Sequence, residues 1–212
     1  AKTVTIGGSF TANDKVYDGT TVATMLVDSL SLLGVETGDS VTLTPVLAFS
    51  TKDAAGSKSV SLTASTSIGG TNASSYSLSL TGAPTATAAV TTKALSVSGL
   101  SSSDKVYDGL TTASVSGSAV LQAAITAGSG TSSDGKPYTV DSVSLTGTPA
   151  AAFNSKDVAS ATTVSFTGLS LTGTGNGNYT LSAHATVSKV ITAKALSVSG
   201  LSSSDKVYDG LT

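Results

Sequence analysis

Apolar and polar positions alternate with a period of two along most of the chain. The runs at 41–44, 76–80 and 143–146 are examples, and Ser or Thr fills most of the positions between their apolar residues. A period of two places apolar side chains on one face of a strand and hydroxyls on the other. Turn signals such as Asp18-Gly19 separate the runs. The pattern predicts an all-β protein built of tandem Ig-like β-sandwich repeats.

Two stretches have a less regular pattern. Residues 22–35 and 118–128 lie at comparable points of the chain, and each could form a few helical turns. We favour strands in both stretches. A β-grasp-like α+β repeat is the alternative.

An internal repeat organises the whole chain. The stretch KALSVSGLSSSDKVYDGLT at 93–111 recurs unchanged at 194–212, and residues 1–21 have the same layout in a looser form. We therefore expect a first repeat at 1–92, a second at 93–193 and the start of a third at 194–212.

The junctions between repeats lack the composition of flexible linkers. No Gly or Pro interrupts 88–97 or 187–198, whereas flexible linkers are rich in Gly and Ser. The last strand of one repeat is expected to continue almost directly into the first strand of the next. This continuity predicts an elongated, stiff array in which each repeat contacts its neighbours.

The composition argues against several classes of partner. Charged residues make up 11% of the chain, and the net charge is −2, so a basic face for nucleic acid is not expected. The chain has no cysteine and therefore neither disulfides nor thiolate metal sites. It has no apolar run long enough to cross a membrane. We expect no nucleic acid partner, no membrane insertion and a monomer in solution.

The inventory of reactive side chains does not favour an enzyme. The chain has one histidine, His184, one glutamate, Glu36, and no cysteine or arginine. We interpret His184 as a solvent-facing strand residue, because the first repeat has no histidine at the matching stretch. We expect no catalytic residue and no cofactor.

The string DKVYDG begins at Asp14, Asp104 and Asp205. One interpretation is calcium binding, since hard cations take several oxygen ligands around a tight turn. The calcium candidates would be Asp14, Asp18, Asp104 and Asp108. The lysine inside each copy of the string weakens this interpretation.

The structural interpretation accounts for more of the motif. Gly19 would adopt the positive φ that ends the strand. Tyr17 would bury its ring, with its hydroxyl bonded to a backbone group at a sheet edge or at the joint between repeats. Aromatic residues are scarce, so each should anchor a large share of a core. The expected structural anchors are Tyr17, Gly19, Phe49, Tyr76, Tyr107, Gly109, Phe153 and Tyr179.

Three motifs in a fixed order resemble a known family. KVYDG followed by Thr or Leu is succeeded by F-x-x-K-D at 49–53 and 153–157, and then by GNYTL at 177–181. This order resembles the YDG repeat, which is close to the MBG repeat of very large bacterial exoproteins and filamentous-haemagglutinin-like adhesins. The first repeat departs from it with SSYSL in place of GNYTL.

The resemblance implies a secreted protein of the bacterial cell surface that has no enzymatic activity. The expected function is that of stalk or spacer repeats in an adhesin, which hold a distal binding region away from the cell. As an alternative, the repeats could bind a glycan or a host or matrix protein through loops 128–138 and 173–178. A further alternative is self-association between chains or cells through exposed sheet edges.

Overall fold

The computed structural model describes residues 1–212, and the chain is all-β. Its helical content is limited to two short 3-10 turns, Ala73–Ser75 and Asn176–Asn178. Residues Met25–Leu33 and Ser116–Leu121 form strands, so the α+β alternative is wrong. The all-β class expected from the period of two is confirmed. The fold has no helix long and apolar enough to cross a bilayer.

The first repeat contains ten strands. They are β1 Lys2–Ala12, β2 Lys15–Val16, β3 Val22–Ala23, β4 Met25–Leu33, β5 Thr42–Thr44, β6 Leu47–Phe49, β7 Ala55–Leu62, β8 Ser67–Gly69, β9 Tyr76–Ser79 and β10 Thr85–Thr91. One sheet has the order β4-β1-β9 and a second the order β2-β10-β7-β6-β3, while β5 and β8 form a separate pair. β1 runs antiparallel to β4 and parallel to β9.

The second repeat contains twelve strands. They are β11 Lys93–Leu95, β12 Val97–Ser101, β13 Lys105–Val106, β14 Thr112–Ala113, β15 Ser116–Leu121, β16 Ser142–Thr146, β17 Ala150–Phe153, β18 Thr163–Thr167, β19 Ser170–Thr174, β20 Tyr179–Leu181, β21 Val187–Ser188 and β22 Ile191–Thr192. Its pairings match those of the first repeat, with β11 and β12 together in the place of β1 and with β21 and β22 in that of β10.

The core of the first repeat lies between its two larger sheets. Ile6 and Phe10 of β1 pack in one cluster with Leu47, Phe49 and Val60 of the five-stranded sheet. These are alternate positions of their strands, so the period of two is what brings them to one face. A smaller cluster around Phe153, Val164, Phe166 and Ile191 forms the core of the second repeat.

The first core does not end at the repeat boundary. Leu95, Tyr138 and Tyr179 of the second repeat belong to the same cluster as the core residues of the first. Thr92 alone separates β10 from β11, so the strand continuity expected at this junction is present. The two repeats are therefore joined both by a very short connection and by a shared apolar cluster.

The DKVYDG string forms a clamp around its own turn. Lys15 Nζ lies 2.8 Å from Asp18 Oδ1 and donates to the carbonyls of Thr20 at 2.8 Å and Val22 at 2.9 Å. Asp18 Oδ1 also accepts from the backbone N–H of Thr20. Gly19 completes the turn with a φ of 77°, a value that glycine adopts without a steric cost.

The same clamp recurs in the other two copies of the string. Lys105 lies 2.8 Å from Asp108 and donates to the carbonyls of Leu110 and Thr112. Lys206 lies 2.8 Å from Asp209 and donates to Leu211 at 2.9 Å. The clamp is a local structure, because it forms in the third copy where the surrounding strands do not.

Residues 194–212 are exposed and form no strand. The identical sequence at 93–111 forms β11, β12 and β13 by pairing with β20, β15 and β22, which all come later in the second repeat. No such pairings are made by 194–212. Identical sequence thus gives strands only where the partner strands are present.

The interpretation of His184 as a solvent-facing strand residue is wrong. His184 lies between strands, half-buried, with its ring 4.8 Å from that of Phe166 in an edge-on contact. Its Nε2 accepts a hydrogen bond from the backbone N–H of Leu100 at 3.1 Å. His184 therefore packs against Phe166 and Leu100 of the second core.

We predict that Lys15→Met lowers the free energy of unfolding by about 1–3 kcal/mol, because it leaves a carboxylate and two carbonyls of the turn without their shared donor. The measurement is urea-induced unfolding followed by circular dichroism. Lys206→Met is the matched control, since it removes the same clamp from a segment that pairs with nothing. Equal effects of the two substitutions would show that the clamp does not stabilise the folded repeat.

Candidate functional site: the joint between the repeats

The DKVYDG turn of the first repeat lies directly against a loop of the second. The backbone N–H of Gly128 donates to the carbonyl of Asp18 at 2.8 Å. A Cβ at Gly19 would lie 2.8 Å from the Cβ of Ala127 and 3.2 Å from a methyl of Val140. Glycine is therefore required here for close approach as well as for its positive φ.

Asp141 is the centre of the joint. Its side chain is 1% exposed and precedes β16. The hydroxyls of Tyr17 and Tyr179 both donate to its Oδ2, at 2.6 and 2.8 Å. The ammonium of Lys52 lies 2.9 Å from its Oδ1. One buried carboxylate of the second repeat thus holds two side chains of the first repeat and one of its own.

Neighbouring elements position the groups around Asp141. Tyr17 follows β2, and its backbone N–H donates to Thr91 O at 2.8 Å at the end of β10. Lys52 lies in the β6–β7 loop and also donates to the Tyr17 hydroxyl at 2.9 Å. Tyr179 opens β20, and its hydroxyl accepts from the backbone N–H of Tyr138 at 2.9 Å.

The protonation states follow from burial and from these bonds. Burial, together with donation to Asp141, raises the pKa of Tyr17 to about 12. Burial is also the main reason why the pKa of Tyr179 rises. Burial alone would lower the pKa of Lys52, but its bonds to Tyr17 and Asp141 outweigh it and raise the pKa. The two phenols stay neutral donors and the ammonium stays charged over the ordinary pH range.

Three aromatic rings pack beneath this polar cluster. The Tyr17 ring meets those of Tyr138 and Tyr179 edge-on, with centroids 5.9 and 5.3 Å apart. All three residues are at most 5% exposed. Edge-to-face pairs of this kind contribute roughly 0.5–1.5 kcal/mol each beyond their buried area. The apolar and polar parts of the joint therefore depend on the same three side chains.

A second polar contact crosses the joint beside the first. Asn178 Nδ2 donates to Asp53 Oδ1 at 3.1 Å, and Asn178 Oδ1 accepts from the backbone N–H of Ala54 at 2.8 Å. Asn178 is 4% exposed. Its bond is the largest cause of the lowered pKa of Asp53. This paired contact ties the first repeat to the second at residues other than Asp141.

Lys93 supports the loop that carries Tyr138. Its side chain is fully buried, with Nζ 2.8 Å from Asp134 Oδ1 and 4.1 Å from the centroid of the Tyr138 ring. Burial alone would raise the pKa of Asp134. The contact with Lys93 and the backbone donors of Lys136 and Thr131 outweigh it and lower this pKa to about 2. The pair is therefore ionic and ties the loop to β11.

The expected anchors occupy different environments. Phe49, Phe153 and Tyr76 are buried in or beside their cores, and Tyr17 and Tyr179 lie at the joint. Tyr107, the counterpart of Tyr17, is half-buried. Gly109 has a φ of 82°. The prediction that the Tyr17 hydroxyl bonds to a backbone group is wrong, because it donates to the carboxylate of Asp141.

The four calcium candidates bond to groups of the protein. Asp14 Oδ1 accepts from the backbone N–H of Ala89 at 2.6 Å, and Asp104 Oδ1 accepts from that of Val190 at 2.9 Å. Asp18 and Asp108 belong to the lysine clamps. The structure contains no group of three or more acidic or histidine side chains that could hold a metal ion. The four candidate aspartates therefore do not come together in one cluster.

Sequence analysis missed the central residue, Asp141. A signal was present, since GDSVTLT at 38–44 and VDSVSLT at 140–146 share an aspartate two residues before the valine that opens the alternating run. Extending the repeat alignment by two residues would have paired Asp39 with Asp141. The loops at 128–138 and 173–178, which the alternative hypothesis gives as ligand contacts, supply Tyr138 and Asn178 to the joint.

We predict that Tyr17→Phe lowers the free energy of unfolding by about 1–3 kcal/mol, because a buried carboxylate loses one of its donors. Tyr107→Phe is the matched control, since the same motif there has no docked carboxylate. Urea-induced unfolding of both variants is the measurement. A loss in Tyr107→Phe as large as that in Tyr17→Phe would contradict the role of Asp141.

We also predict a loss of stability in alkali. The pKa of the Tyr17 phenol is higher in the folded state than in the unfolded state. Its contribution to the free energy of unfolding is therefore complete below the unfolded pKa of 10.0 and is lost as the pH rises towards about 12. The measurement is the free energy of unfolding against pH, alongside tyrosinate absorbance. Tyr17→Phe should show a shallower fall over the same range. Identical curves for the two proteins would contradict the burial of the Tyr17 hydroxyl.

Comparison with known proteins agrees with this repeat architecture. A family model for the YDG domain matches residues 1–87 and again residues 91–187. No curated protein and no solved structure matches the chain. The boundary between the two matches falls at the end of β10, next to the joint around Asp141. Because the two matches cover most of its length, the chain belongs to the YDG domain family.

Proposed function

We propose that the chain is part of a stalk of a secreted bacterial adhesin, in which YDG domains follow one another and hold a distal binding region away from the cell. The observation that carries the proposal is the joint around Asp141. A stalk must stay extended, so its domains must keep a fixed relative orientation. Here the orientation is set by bonded side chains rather than by the linker alone.

Three separate contacts support a stiff joint. They are the Asp141 cluster, the bonds of Asn178 to residues 53 and 54, and the backbone bond from Gly128 to Asp18. Three contacts between different pairs of residues restrain the two repeats more than one contact would. Thr92 is the only residue between the flanking strands, which leaves little chain to absorb a hinge. Bending would also break the bonds of Asp141 to Tyr17 and Lys52 and separate the Tyr17 ring from those of Tyr138 and Tyr179.

The surface composition supports an extracellular role. Charged residues are 11% of the chain, and Ser, Thr and Gly supply much of the polar surface. The resemblance of the motifs to repeats of bacterial exoproteins points to the same location. The proposal assigns no catalytic role to any residue.

The joint also bears on the alternative that the repeats bind a glycan or a host or matrix protein. Both loops that would have supplied contacts, 128–138 and 173–178, place residues in the joint. Tyr138 and Asn178 are there at most 4% exposed. Their burial removes these two side chains from a ligand-binding surface, whereas residues 128–133 stay exposed.

Small-angle X-ray scattering of the chain tests the proposal. We expect an elongated particle with one well-defined maximum dimension, the same with added calcium and with a chelator. Insertion of a short Gly-Ser stretch after Thr92 supplies the flexible control, because it lengthens the connection without touching a repeat. Asp141→Ala should move the scattering of the chain towards that control.

Two results would contradict the proposal. Wild-type protein that scatters like the Gly-Ser control would show that the joint does not hold the repeats. A particle that becomes flexible or compact on chelation would show that a metal ion, rather than the Asp141 cluster, sets the geometry.

A further inference from the structure

The motif DKVYDG also holds the last strand of its own repeat. In the first repeat, β2 contains the Lys-Val of the motif and pairs in parallel with the end of β10, with Lys15 opposite Val90. In the second repeat, β13 pairs in parallel with β22, with Lys105 opposite Ile191. In both repeats the motif therefore joins an early strand to the strand at which the chain leaves the repeat.

Side chains extend this pairing in the first repeat. Asp14 Oδ1 accepts from the backbone N–H of Ala89 at 2.6 Å, and the Thr91 hydroxyl donates to the carbonyl of Lys15 at 3.3 Å. The backbone N–H of Tyr17 donates to the carbonyl of Thr91 at 2.8 Å. We define the latch of a repeat as the first four residues of DKVYDG and the last-strand residues that they bond. In the first repeat these are 14–17 and 89–91.

The second repeat has the same latch, formed by 104–107 and 190–192. Asp104 Oδ1 accepts from the backbone N–H of Val190 at 2.9 Å, and the Thr192 hydroxyl donates to the carbonyl of Lys105 at 3.3 Å. The backbone N–H of Tyr107 donates to the carbonyl of Thr192 at 2.8 Å. The latch thus accounts for the first aspartate of the motif, which takes no part in the lysine clamp.

Strand polarity decides how the latch responds to tension along the chain. Tension pulls the motif strand, β2 or β13, back towards the preceding chain, and it pulls the last strand, β10 or β22, forward towards the following chain. Because the two strands are parallel, these forces act in opposite directions along the strand axes. All bonds of the latch are then loaded together, whereas two strands pulled apart from one end lose their bonds one after another.

We propose that the latch is a mechanical fastening with which each repeat carries tension along the chain. This function differs from that of the joint around Asp141, which sets the orientation of one repeat against the other. A chain with a freely bending joint would still have both latches. The inference therefore goes beyond the proposed stalk and does not rest on it.

In the second repeat the latch is the first set of bonds that a pull on the following chain loads. β22 pairs with β13 and with no other strand. Its Ile191 is 2% exposed and belongs to the second core. Withdrawal of β22 therefore removes a core residue and opens the core to water, so the latch controls the unfolding of the whole repeat.

The first repeat has another ladder beside its latch. β10 also pairs antiparallel with β7, at five positions between Thr85 and Val90. The last strand of the first repeat is therefore held on two sides, and that of the second on one. We expect the second repeat to unfold before the first under the same tension.

Single-molecule force spectroscopy of the full chain tests the proposal. The chain has no cysteine, so two introduced cysteines define the points of attachment. With Thr92→Cys and a cysteine added after Thr212, tension shears the latch of the second repeat, and the unpaired residues 194–212 serve as a tether. The first repeat stays unloaded, so the result does not depend on the joint.

A second pair of attachment points changes the direction of pull on the same latch. Leu110→Cys replaces Thr92→Cys, and Leu110 is 60% exposed. Both attachment points then follow the C-terminal ends of β13 and β22, so the two strands are pulled apart from one end. We expect the repeat to survive longer at the same constant force when it is sheared than when it is pulled apart in this way.

Asp104→Ala removes one bond of the latch. In the shear geometry we expect unfolding at a given force to be roughly tenfold faster, which corresponds to about 1.4 kcal/mol. Asn154→Ala is the matched control. Asn154 Oδ1 accepts from the backbone N–H groups of Thr162 and Thr163 in the β17–β18 connection, which contains no residue of the latch. It should lower the free energy of unfolding in urea without a comparable loss of lifetime under tension.

Tension applied to both repeats tests the expected order of unfolding. With cysteines added before Ala1 and after Thr212, the chain should unfold in two steps. Asp104→Ala should shorten the wait for the first step, and Asp14→Ala should shorten the wait for the second. Circular dichroism of each variant checks that it is folded before it is pulled.

Three outcomes would overturn the proposal. One is an equal lifetime of the second repeat in the two pulling geometries, since the latch would then not act in shear. Another is a loss of lifetime in Asn154→Ala as large as that in Asp104→Ala, because it would reflect general stability. The third is a first unfolding step that Asp104→Ala leaves unchanged.

Discussion

The structure depends on one buried carboxylate. A charged Asp141 can be withdrawn from water only if its oxygens are bonded, since an unpaired buried charge is costly. Tyr17, Lys52 and Tyr179 supply those bonds, and two of these residues belong to the first repeat. The second repeat therefore cannot satisfy Asp141 by itself, and the position of the first repeat is fixed by that requirement.

The same requirement explains why the motif DKVYDG combines such different residues. Its lysine and second aspartate clamp a turn, and this clamp forms in all three copies. Its tyrosine has a separate role, which depends on the neighbouring repeat. Tyr17 meets a carboxylate and is fully buried, whereas Tyr107 in the same clamp is only half-buried. A local structure thus presents a tyrosine, and the next repeat determines what that tyrosine contacts.

Much of the fold could be predicted from sequence because it follows from local patterns. The alternation of apolar and polar residues predicted the strands, and the repeated motifs predicted two repeats of the same fold. The joint could not be predicted in the same way, because the side-chain bonds that cross it connect residues 89 to 125 positions apart, such as Tyr17 and Asp141. The contribution of loop 128–138 to the joint could not be predicted for a related reason. Its polar composition is typical of an exposed loop, and 128–133 are exposed, but Tyr138 at its end is buried against Tyr17 of the first repeat.

The central claim is that Asp141 and its partners hold the two repeats in one orientation. Residual dipolar couplings of the isotopically labelled chain in a weakly aligned medium measure that orientation directly. The account predicts that couplings from 1–91 and from 93–192 fit a single alignment tensor with the geometry described above. Two tensors of different magnitude would mean that the repeats reorient independently, and the claim would be wrong.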